Sequence, residues 1–103
     1  MTLRQKQSKF AYLLTILIQF AYVQGFEITL GDAARIDRKG HCKNSFHYKR
    51  LAIDLNLFLN GKYLINTLDY EILGKFWKSL DENCTWGGDF KNKDGNHFSY
   101  GEK

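Results

Sequence analysis

Ser8, Tyr12, Thr15, Gln19 and Tyr22 recur every three or four residues through an otherwise apolar stretch. That spacing predicts one polar stripe on a helix, with Leu13, Leu14, Ile16, Leu17, Ile18, Phe20 and Ala21 on the broad opposite face. Gly25 stands where a left-handed helix stop is expected. The same stretch has a second reading. Arg4, Lys6 and Lys9 precede an apolar run from Phe10 that ends in Val23-Gln24-Gly25, as in a secretion signal. A run of about fourteen residues is short for a bilayer, so stable membrane insertion is not expected. Losing the segment would also strip a small core of its longest helix. A retained, docked helix over residues 5–24 is therefore the expectation, and secretion through an N-terminal signal is the alternative.

Beyond Gly25 the period changes. Phe26 to Leu30 alternates and predicts a short strand ending at Gly31-Asp32. Residues 33–46 are polar and aperiodic, which predicts a surface loop leading into a site. Arg50 to Leu57 and Lys62 to Ile65 flank Asn60-Gly61, the pattern of an antiparallel hairpin with a two-residue turn. Asn66 or Thr67 can cap a second helix whose apolar face is expected at Leu68, Ile72, Leu73, Phe76 and Leu80. From Trp86 to Tyr100 the glycine- and aromatic-rich tail predicts a short strand, a loop and a final strand. Helices segregated from a small antiparallel sheet give an α+β class. The 103 residues hold one expected domain, 1–103, with a core for chemistry over about 26–100.

Composition narrows this only slightly. An apolar content of 44% with a net charge of +4 excludes a disordered chain. The basic residues are scattered, and no nucleic-acid motif is legible, so no nucleic-acid partner is expected. Cys42 and Cys84 form no Cys-x-x-Cys pair and are expected as free thiols; a single disulfide, or Cys42 as a metal ligand, are the lesser alternatives.

The candidate chemistry lies in two places. A catalytic zinc site needs three protein ligands, commonly imidazole nitrogens and a carboxylate oxygen, plus an open position for water. His47 stands at the mouth of the hairpin and Asp54 within its first strand. Their odd spacing puts them on opposite faces of a straight strand, so convergence requires a turn or bulge near Lys49 and Arg50. The third element is Asp94-Gly95-Asn96-His97, in which a tight turn can point a carboxylate and an imidazole into one cavity. With His97 as ligand, Asp94 stands where it can take a proton from the attacking water. Taken singly, each of these residues is as readily an edge aspartate or a hydrogen-bonded histidine.

Ser45-Phe46-His47-Tyr48-Lys49-Arg50-Leu51-Ala52-Ile53-Asp54 resembles the Ser-x-His-x6-Asp signature of zinc peptidases related to D-alanyl-D-alanine carboxypeptidases, and Asp94-x-x-His97 resembles their closing motif. Leu51 to Phe58, Asn60 to Leu64 and Trp86-Gly87-Gly88-Asp89-Phe90 are similar to small phage endolysins acting as L-alanyl-D-glutamate endopeptidases. The likeness runs from about Phe10 to Ser99. It implies a hedgehog-like α+β fold, zinc held by His47, Asp54 and His97, and Asp94 as catalytic acid/base. Arg35 matches an arginine near the substrate, suited to a carboxylate or a developing oxyanion. Ser45 would orient a ligand or be an ordinary turn serine, and Trp86 would line the cleft or be a core tryptophan. Ala34 replaces an aromatic usual before the arginine, and the loop from Ile36 to Asn44 is short, so bond specificity is open.

The resemblance implies a peptidoglycan stem peptide as substrate, a monomer, and accumulation in the host cytoplasm before release to the wall in phage or prophage lysis. A D-alanyl-D-alanine carboxypeptidase or dipeptidase is the related alternative. A non-catalytic, secreted wall-binding protein is the alternative from another class.

Overall fold

The computed structural model describes residues 1–31 and 49–102. Arg35, Cys42, Ser45 and His47 lie outside them. Helix α1 (Leu3–Val23) opens on a capping box: the Gln5 amide donates to Thr2 Oγ1 at 3.1 Å and the Thr2 amide to Gln5 Oε1 at 2.8 Å. It closes on Gly25, whose φ of 96° suits a residue without Cβ. There the Phe26 amide donates to Ala21 O and the Gly25 amide to Tyr22 O, both at 3.0 Å, the paired bonds of a Schellman stop. All five positions of the expected polar stripe are exposed, and Phe10, Leu13, Leu17 and Ala21 are buried. No helix among the described residues is long and apolar enough to cross a membrane.

An antiparallel sheet of five strands packs against this helix and a second one. Its strands are β1 (Glu27–Leu30), β2 (Ala52–Leu59), β3 (Lys62–Tyr63), β4 (Cys84–Trp86) and β5 (His97–Tyr100). The order is β1-β2-β5-β4, with β3 paired to the end of β2. The β2–β3 hairpin turns through Asn60 (φ 53°) and Gly61 (φ 77°), the two positive angles a tight right-twisted hairpin demands. β2 alternates fully buried and half-buried residues and carries Leu55 and Leu57, both 0% exposed, into the core.

A 3₁₀ turn, Thr67–Tyr70, leads into α2 (Glu71–Leu80). The expected apolar face of this helix is kept in part and rotated: Leu73 is buried and Phe76 and Leu80 pack partly buried against the core as expected, whereas Leu68 and Ile72 are exposed and Tyr70 and Trp77 are buried instead. Aromatic residues with a polar tip decide the rotation, because each finds partners inside. Tyr70 Oη accepts from the Leu57 amide at 3.1 Å and donates to Leu64 O at 2.7 Å. Burial pushes the Tyr70 phenol above its usual range. Trp77 Nε1 donates to Thr85 O at 3.1 Å and Ser99 O at 3.0 Å, tying α2 to β4 and β5. Gly74 completes this face by admitting the Trp86 ring, which would stand 2.1 Å from any Cβ there. Cys84 carries a free buried thiol, pushed up to about 12 by burial.

Candidate functional site

Asp54 and His97 face each other in register across β2 and β5. Residues opposed in this way project from the same side of a sheet, so the pairing alone brings a carboxylate and an imidazole together. Gly31, at the end of β1, lets the chain pass close behind Asp54: its amide donates to Asp54 O at 2.7 Å, and a Cβ would stand 2.9 Å from Asp54 Cβ. The turn expected between His47 and Asp54 occurs at Lys49–Arg50, where Arg50 has φ 58°.

The Asp94–His97 turn is held from several directions. The Asp94 amide donates to Gly87 O at 2.9 Å, the His97 amide to Asp94 O at 3.1 Å, and the Leu55 amide to Asn96 O at 2.8 Å. Asn96 Nδ2 donates to Asn56 Oδ1 at 2.9 Å, joining the turn to β2 through side chains. Trp86 lies in the core beneath, 5% exposed, and its Nε1 donates to Gly95 O at 2.7 Å. Its ring is therefore a support for the turn from inside.

Gly87 makes the close packing possible. A Cβ at this position would come within 2.2 Å of Asp94 O and 2.8 Å of His97 Cβ. Since the first of these neighbours is backbone, the turn itself must move. Gly87→Ala is expected to cost about 1–3 kcal/mol of stability, the range for overpacking, and to weaken divalent-metal binding in parallel. Urea denaturation and zinc titration check both effects, and native values of both would contradict the assigned packing.

His97 Nδ1 lies 3.8 Å from Asp54 Oδ1 and 3.9 Å from Asp94 Oδ2. One ligand atom from each of the three residues falls within 4.8 Å of the others. Donors bound to one tetrahedral zinc at about 2.0–2.2 Å stand roughly 3.4 Å apart, so small side-chain adjustments suffice and the set fits a cation. The charges agree: on its other side the ring meets a third carboxylate, with Nε2 2.6 Å from Glu102 Oε1. Several carboxylates gathered about one imidazole are mutually repulsive, a repulsion that a divalent ion relieves. The side chain of His97 is 6% exposed, that of Asp54 19% and that of Asp94 53%, so the set grades from the interior outward. A cleft of about 220 Å³ opens beside Asp94, lined by Tyr63, Thr67, Lys93 and Asn96 among others.

A family model described as D-alanyl-D-alanine carboxypeptidase matches residues 39–100, more than half of the chain. The chain belongs to this family of peptidases. No curated protein matches it. The stretch shared with the carboxypeptidase family contains Ser45, His47, Asp54, Trp86, Asp94 and His97, whereas Arg35 precedes it. Within the described residues Asp54, Asp94 and His97 are brought together. Glu102 was not singled out by sequence; it belongs to no motif, and no periodicity carries it to His97.

Proposed function

We propose that this member of the D-alanyl-D-alanine carboxypeptidase family is a zinc-dependent peptidase that hydrolyses the peptide stem of bacterial peptidoglycan, with the L-alanyl-D-glutamate link as its bond. The convergence of Asp54, Asp94 and His97 from separate stretches of chain is the observation that carries this reading. Asp54 and His97, the two inward groups, would hold zinc together with His47, and Asp94, the outward one, would face the substrate. Bound zinc supplies an acidified water, with a pKa near about 7, and a polarised scissile carbonyl.

Asp94 accepts the proton released as water attacks and delivers it to the departing amine nitrogen, ending the cycle as it began. The cleft beside it gives an extended peptide access to that carboxylate, and Lys93 on its wall provides a positive charge suited to an acidic stem. Arg35 would hold a substrate carboxylate or the developing oxyanion, and Ser45 would orient a ligand. Sequence likeness to small endolysins supports a phage or prophage lysis role, with the enzyme held in the host cytoplasm until it reaches the wall as a monomer.

Digestion of purified peptidoglycan with product analysis tests the reading. New alanine carboxyl termini and glutamate amino termini are expected, with activity lost in a chelator and restored by zinc. Release of free D-alanine instead would assign carboxypeptidase action. Undiminished cleavage in chelator would remove the metal from the reaction.

A further inference from the structure

We infer that Glu102 is a positioning residue, which fixes His97 in the tautomer that turns Nδ1 toward Asp54 and Asp94. This rests on the metal-site reading above and adds to it a residue beyond the family match, which ends at Tyr100. Glu102 follows His97 by five residues. In a continuing strand their Cα atoms would stand roughly 16 Å apart, with side chains on opposite faces. The chain instead folds back at Gly101 (φ 88°), whose amide donates to Asn83 O at 2.6 Å. Thr85 Oγ1 then donates to Glu102 O, fastening the returning backbone to β4. The Glu102 carboxylate consequently reaches His97 Nε2 at 2.6 Å, a charge-assisted contact.

An ionised carboxylate only accepts hydrogen bonds, so the neutral ring must carry its proton on Nε2 to satisfy this contact. Its lone pair is then on Nδ1, the atom that lies 3.8 Å from Asp54 and 3.9 Å from Asp94. An imidazole held in this way through its outer nitrogen is preoriented for a cation and is a stronger base toward it. The ring also packs against Phe90, with centroids 5.4 Å apart, so rotation is restrained as well.

The test combines long-range ¹H–¹⁵N NMR of the metal-free full chain with zinc titration. In the wild type, at a pH where the ring is neutral, His97 should show a protonated Nε2 and an unprotonated Nδ1. Glu102→Ala should lose that preference and bind zinc about 10–100-fold more weakly, with an otherwise native amide spectrum. Glu102→Gln retains an acceptor oxygen and should lose clearly less. A neutral ring with its proton on Nδ1 in the wild type, unchanged tautomer and affinity in E102A, or equal losses in E102A and E102Q would each overturn the assignment. A wild type that binds no zinc yet shows the Nε2–H tautomer dependent on Glu102 would sink the metal reading, while the orienting contact stands.

Discussion

Replacing Asp94 by Asn should lower kcat/KM on peptidoglycan fragments by about 10²–10⁴-fold, the usual weight of a positioned general acid/base, while one equivalent of zinc stays bound. The amide keeps the size of the carboxylate but cannot accept and return a proton at neutral pH. Because the Asp94 side chain is half exposed, the exchange should leave stability within about 0.5 kcal/mol of the parent. Metal analysis beside steady-state kinetics separates the possible roles. Activity within about twofold of the parent would end the proton-transfer assignment. Joint loss of zinc and activity would instead make Asp94 a ligand, a role its distance from His97 Nδ1 also permits.

The second large effect concerns the scaffold. Trp77→Ala should cost about 3–5 kcal/mol, the range for removing a large aromatic side chain from a core. Trp77 is 0% exposed, meets Phe10 of α1 edge-on at 5.9 Å and Phe98 of β5 edge-on at 6.4 Å, and donates to two strands. Truncation thus leaves a cavity and withdraws the donor from two carbonyls at once. Against a typical total stability of about 5–15 kcal/mol, a chain of this size has little reserve. Urea denaturation gives the difference directly. Trp77→Phe should fall between the two, since it retains most of the ring volume and loses the N–H. A loss below about 1 kcal/mol for W77A would show that the core closes around the gap.

Much of the scaffold was legible because its signals are local. Asn60-Gly61 demands two positive φ angles, and Gly25 with the polar stripe of α1 describes a helix and its stop without reference to the rest of the chain. The rotation of α2 was less legible, because it is set by Trp77 within the helix and Tyr70 in the turn before it. Their polar atoms make them ambiguous in a hydrophobic pattern until the Leu57 amide and the Thr85 and Ser99 carbonyls are in place as partners. At the site, Asp54, Asp94 and His97 were recognisable by motif, yet only strand register explains why residues so distant in sequence meet. Glu102 was illegible for the converse reason. It depends on one backbone reversal at Gly101 and on an anchor in another strand.

The opposed placement of Asp54 and His97 sets different tolerances for change in neighbouring parts of the chain. Lys91 and Asn92 are exposed and lie outside the cleft lining, so a residue added or removed there changes only the length of a surface connection. The same insertion inside β5 would slip the ladder by one position and send the imidazole to the reverse side of the sheet. Natural variants of this enzyme should therefore differ in loop size between Phe90 and Lys93 while keeping an unbroken count from Asp94 to Tyr100.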